Sequence, residues 1–168
     1  MHRYVPLLKL CVLHVCIWFE KHVRRKAFVI FLSIQNPVAM LSEISLDKVL
    51  VIDLETVPAY PGYESVPERE RALWDRKAGM LRSGEDTAAS LYPRAGIYAE
   101  FGRIICISAG RVRAGKFRIR SFAGADEKEI LVRFSDFLSQ PSQQGILLCA
   151  HNGKEFDFPY LARRMLIQ

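Results

Sequence analysis

The sequence predicts an α/β domain over residues 40–168, and three stretches carry that prediction. In KVLVIDLETV, residues 48–57, a four-residue apolar run from Val49 to Ile52 leads straight into Asp53 and Glu55. In DEKEILVRFSDFL, residues 126–138, the apolar side chains Ile130, Leu131, Phe134, Phe137 and Leu138 fall on one helical stripe. In GILLCAHNGKEFDFPYLARRM, residues 145–165, a short apolar strand passes through a polar turn into a second helical pattern. Strands and helices alternating in this way build a sheet covered by helices.

Taken in order, Val49 to Ile52 reads as a central strand buried on both faces, because the run is apolar without alternation. A proline-rich loop, PAYPGYESVP, follows, and Pro67 suits the start of a helix in which Trp74, Ala78 and Leu81 recur at helical spacing before Ser83-Gly84. Residues 84–101 mix Tyr, Phe, Arg and acids without a clear period, which leaves their structure open between lining a cleft and packing on the core. RIICISAG at 103–110 and KFRIRSF at 116–122 read as two strands joined by Ala114-Gly115 into an antiparallel hairpin. The alternating Lys116, Arg118 and Arg120 suit a solvated face, with a phosphate-facing role as the sharper alternative.

Asp126 with Glu129 three residues later predicts a capping box for the next helix, which Pro141 stops. Ile146 to Ala150 then reads as a short buried strand. In the last helix Phe158, Leu161, Ala162, Met165 and Leu166 follow helical spacing, with Pro159 tolerated in the first turn. Asp157 therefore stands at a helix start, just past the strand end that carries His151, Asn152 and Gly153.

Composition divides the chain. Residues 1–39 carry a net charge of +5 and none of the ten glycines, whereas residues 40–168 carry only +1. The apolar runs of this leader, Leu10 to Phe19 and Ala27 to Ile34, fall short of the roughly 20 residues that span a bilayer, so no membrane span is expected. Lys9 and His14 interrupt any secretory signal core. A basic interfacial anchor using Trp18, Phe19 and Phe28 is one reading. The preferred one places the leader upstream of a natural start at Met40, outside the fold. Cys11, Cys16, Cys106 and Cys149 lack the spacing of a zinc site. Cys106 and Cys149 lie in apolar runs and read as small core residues of a cytoplasmic protein, with no disulfide.

Strand alternation puts Asp53 and Glu55 on one side and Leu54 on the other. Two neighbouring carboxylates repel unless a cation lies between them, and an all-oxygen site suits Mg²⁺ or Mn²⁺. By itself the pair also reads as a solvated strand end, and Asp157 by itself as a helix cap. If the strand at 146–150 lies parallel beside the first, Asp157 converges on Asp53 and Glu55 at the carboxyl ends of the strands, where α/β sheets bind ligands.

The order DLET at 53–56, then HNGKEFDFPYLARRM at 151–165, resembles the first two motifs of the DEDD 3′-to-5′ exonuclease superfamily, nearest to predicted exonucleases related to the proofreading domain of family B DNA polymerases. The resemblance covers about residues 46–168. It implies a ribonuclease H-like mixed sheet, three antiparallel strands then parallel strands with crossover helices, and residues 57–102 as an insertion between the first two strands. It also implies a catalytic site of two divalent ions, Mg²⁺ or Mn²⁺, held by Asp53 bridging both, Glu55 on one and Asp157 on the other, directly or through water. Thr56, Asn152 and Phe156 would stand near the terminal nucleotide of a single-stranded 3′ end of DNA or RNA.

The family's third motif, a further Asp with a Tyr or His four residues before it, has no counterpart in these 168 residues. His151 precedes Asn152 and suits packing or hydrogen bonding better than a substitute base. With no glycine or asparagine after Leu166, the last helix reads as cut while still running, the domain as truncated, and the activity of this form as weak or absent. The competing expectation is a non-catalytic nucleic-acid-binding or scaffolding domain with a degenerate site.

Overall fold

Leu50, Val51 and Ile52 are buried in succession in β1 (Val49–Pro58), as expected of a strand covered on both faces. The computed structural model describes residues 44–168. The leader and the proposed start at Met40 lie outside the described residues. The further elements are α1 (Glu68–Leu81), α2 (Ala88–Leu91), β2 (Gly102–Arg113), β3 (Lys116–Ala123), α3 (Glu127–Leu138), β4 (Leu147–Cys149) and α4 (Asp157–Ile167). The four strands form one mixed sheet in the order β3-β2-β1-β4. β2 and β3 pair antiparallel, from Cys106 opposite Ala123 to Arg113 opposite Lys116. β1 and β4 pair parallel, with Val49, Leu50 and Val51 opposite Leu147, Leu148 and Cys149. Among the described residues, no helix is long and apolar enough to cross a membrane.

The chain packs as two compact units. The first comprises the described residues through Glu55 together with Ile105–Pro159. Its core sets Leu50, Ile52, Ile105 and Ile107 with Phe122, Ile130 and Phe134 from the hairpin and α3. Phe122 meets Phe134 edge to face at 5.5 Å, a geometry that aromatic quadrupoles favour. Asp126 caps α3, the N-cap half of the expected capping box, its carboxylate accepting from the amides of Lys128 and Glu129. Cys106 and Cys149 are free thiols, the first buried and the second half-buried, and burial pushes the Cys149 thiol up from its usual range.

The second unit comprises Thr56–Ile104 and Tyr160–Gln168. Residues 84–101, open in the sequence, resolve here as packing: α2 and a 3₁₀ segment (Tyr92–Ile97) place Leu91, Tyr92 and Ala95 against Trp74 and Ala78 of α1. Trp74 is fully buried and donates its indole N–H to the Ala88 carbonyl at 2.8 Å. Thr87 closes a capping box with Ser90 at the head of α2, a signal of the same kind that marks α3.

The face of α4 differs from the expected one. Asp157, Tyr160, Leu161 and Arg164 are buried, whereas Ala162, Met165 and Leu166 are exposed, Leu166 at 88%. The reason is polar. Tyr160 Oη donates to the Gly96 carbonyl at 2.8 Å, and Arg164 Nη1 donates to the Ala99 carbonyl at 2.9 Å. A tyrosine and an arginine that hydrogen-bond to carbonyls can be buried where unbonded ones could not, so this helix turns a mixed face inward.

The hairpin turn carries a mild strain. Ala114 has φ 50° and Gly115 φ 71°, the left-handed pair that a two-residue turn requires and that suits Asn-Gly better than Ala-Gly. Ala114→Asn is therefore expected to raise stability by about 0.5–1 kcal/mol, read as a higher urea midpoint with an unchanged slope. A midpoint that falls would contradict the turn assignment.

Candidate active site

β4 is shorter than expected, stopping at Cys149, while its neighbour β1 continues in the same direction through Asp53 and Glu55. Beyond Cys149 the chain turns tightly. Asn152 adopts φ 54°, and its carbonyl accepts from the amides of Glu155 and Phe156, both at 3.0 Å. Asparagine tolerates this left-handed conformation better than most residues. A Cβ on Gly153 would stand 2.6 Å from the Ala150 Cβ and 2.9 Å from the Phe158 ring, so only glycine lets the turn close this far. The turn delivers the first residue of α4, Asp157, back onto β1.

There the backbone amides of Leu54 and of Asp157 itself favour the ionised form of the Asp157 carboxyl. It is 4% exposed. Burial pushes its pKa up to about 6, and the negative charge of Asp53 pushes the same way, only partly offset by the two amide donors. A buried carboxyl held among amides and beside a second carboxylate is an environment that favours either a proton or a cation.

The structure thus brings together two of the three acids singled out in the sequence, Asp53 and Asp157. Asp53 and Glu55 are both half-buried around the buried Leu54, the alternation expected of a strand. Among the described residues, no group of three or more His, Cys, Asp or Glu side chains is arranged to hold a metal ion. The donor chemistry of the Asp53–Asp157 pair, all oxygen, fits a hard divalent cation. Glu55 does not complete a three-ligand cluster with them.

Thr56, next along β1, is half-buried; Asn152 is exposed in the turn; Phe156 is half-buried. His151 is exposed, which favours hydrogen bonding over packing among the two roles expected of it. Sequence reasoning missed the Leu54 amide, a backbone group that no side-chain pattern announces. It also missed Tyr160 and Arg164, which share a helical face with Asp157 at intervals of three and seven residues, a spacing that could have revealed them. Comparison of the chain with protein-family models, with curated proteins and with solved structures returns no match.

Proposed function

We propose that the chain carries the site of a divalent-metal-dependent 3′-to-5′ exonuclease of the DEDD, ribonuclease H-like type, acting on single-stranded ends of DNA or RNA. The observation that carries this reading is the parallel pairing of β1 with β4, followed by the return of Asp157 to the strand that bears Asp53. The strand order β3-β2-β1-β4, with an antiparallel hairpin on one side and a parallel pair on the other, supports it further. Asp53 and Asp157 would hold the cation, with Glu55 as the additional carboxylate of the DLET motif. Divalent ions, when bound, supply charge stabilisation to the attacking and leaving oxygens of phosphodiester hydrolysis. Asp157 contributes a buried carboxylate at a helix start, beside the charge of Asp53. Thr56, Asn152 and Phe156 are the groups proposed to meet the terminal nucleotide.

A second reading, a non-catalytic domain with a degenerate site, is favoured by one observation: Glu55 stays outside a three-ligand group. Cleavage of 5′-labelled single-stranded oligonucleotides with Mn²⁺ separates the two. This chain is expected to shorten the label weakly from its 3′ end. Asp53→Asn should abolish the shortening. No cleavage would leave the non-catalytic reading in place, and cleavage indifferent to Asp53→Asn would remove the site assigned above.

A further inference from the structure

Residues 101–125 contain six Lys or Arg and no Asp or Glu, so the near neutrality of residues 40–168 conceals a strongly asymmetric charge distribution. Five of those cations are in the distal part of the β2–β3 hairpin, the sixth, Arg103, standing at the start of β2 before the paired register begins. Its register sets Arg113 opposite Lys116 and Arg111 opposite Arg118, with Arg120 two residues further along β3. Directly opposed residues of an antiparallel pair share one face, so all five cations project from the same side, and two cross-strand pairs are of like charge. Like charges placed this way cost stability. β3 is an edge strand, and a single lysine or arginine suffices to protect an edge; two opposed pairs go beyond that need.

The charges are not cancelled locally. Arg111 donates to the carbonyls of Asp47 and Ser142 and to Gln143 Oε1, all neutral acceptors, at 2.7, 3.0 and 3.2 Å. The Asp47 carboxylate, bonded to Ser45, lies in Coulomb range of Arg111. Arg120 stacks on the rings of Phe122 and Phe137 at 5.1 and 5.5 Å. The ion pairs Arg133–Glu129 and Arg163–Glu100 lie outside the hairpin. Arg113, Lys116 and Arg118 are exposed.

We propose that this face of the hairpin is a docking surface for the phosphate backbone of a single-stranded nucleic acid, separate from the carboxylate site. Alternate residues along a strand recur at about 6.8 Å, a rigid row of cations comparable in period to successive phosphates of an extended strand. Arginine forks are suited to phosphate oxygens. A membrane surface fits less well, because no exposed large apolar side chain stands on the hairpin to enter a bilayer. The surface is also remote from Asp53. Arg111 is bonded to Asp47, before β1 begins, and Asp53 is four strand residues beyond Val49, about 13 Å at the usual rise.

Anisotropy of a labelled single-stranded oligonucleotide, with the full chain in EDTA across a salt series, tests this. EDTA suppresses any metal-dependent cleavage, so the outcome is independent of the exonuclease reading. The triple variant Arg113→Gln, Lys116→Gln, Arg118→Gln is expected to bind about tenfold more weakly and to lose about 2 from the log–log salt slope. Arg69→Gln, at an exposed cation of α1 outside the hairpin and the carboxylate site, should bind like the unmodified chain. Because the leader is itself basic, the difference between the two proteins is the readout. Circular dichroism checks that the triple variant is folded; if it is not, the single variant Arg118→Gln is measured, with a slope loss of about 0.7 expected. An unchanged slope in a folded variant overturns the proposal. So does hairpin-dependent binding to phosphatidylserine vesicles that exceeds binding to the oligonucleotide.

Discussion

Trp74→Ala is expected to destabilise the chain by about 3–5 kcal/mol, the range for emptying a fully buried aromatic site. Trp74 has no exposed surface, and its ring meets Tyr92 at 5.5 Å and Phe101 at 5.2 Å, both edge to face. Truncation removes those contacts and leaves the Ala88 carbonyl without its indole donor. The 3₁₀ segment packed on Trp74 leads into the carbonyls of Gly96 and Ala99, which anchor Tyr160 and Arg164. Losing the indole therefore loosens the acceptors that hold the buried face of α4. Urea unfolding followed by circular dichroism measures the change. Trp74→Phe should cost less, because a ring remains. A loss below about 1 kcal/mol for Trp74→Ala would contradict the role given to this core.

Asp157→Asn is expected to make the metal-free protein more stable at neutral pH, by up to about 3 kcal/mol. The figure follows from a folded-state pKa of about 6 against an ordinary value of 3.8, at about 1.36 kcal/mol per unit. Between those values the native state holds more protons than the unfolded chain. Stability contributed by Asp157 is therefore complete below about pH 3.8 and is lost as pH rises through about 6. Asparagine, uncharged at every pH, avoids that loss. Unfolding free energies of the two proteins should converge near pH 4 and separate towards pH 7. A variant less stable than the parent at pH 7 would show that the ionised carboxylate is satisfied by its amides alone.

This cost is intelligible at a functional site. Evolution retains strained or unfavourably buried groups where a ligand compensates for them. On the proposed reading, an aspartate that repels its neighbour in the metal-free protein would bind a cation with the same oxygens.

Much of this arrangement was legible in the sequence. The apolar run before Asp53, the Ala-Gly turn and the Asp126 cap each act over a few residues, and each produced the element expected of it. The parallel pairing of the short strand with the first was legible as well, and it leaves Asp157 within reach of the charge of Asp53. Residues 84–101 were not legible: their order comes from 3₁₀ turns seated on Trp74, and short 3₁₀ segments leave no period to read. The inward face of α4 was misread because its buried polar groups bond carbonyls 64 and 65 residues away in the chain. Apolar spacing pointed to Met165 and Leu166, while hydrogen bonding selected Tyr160 and Arg164.

The central claim is that Asp53 and Asp157 form a cation-binding carboxylate pair. Thermal unfolding at pH 7 with increasing Mn²⁺ tests it most directly, because a ligand at 100 times its dissociation constant stabilises a protein by about 2.7 kcal/mol. The account predicts a saturable rise in the melting temperature of the unmodified chain, absent from both Asp53→Asn and Asp157→Asn. No rise in the unmodified chain, or an equal rise in all three proteins, would contradict it.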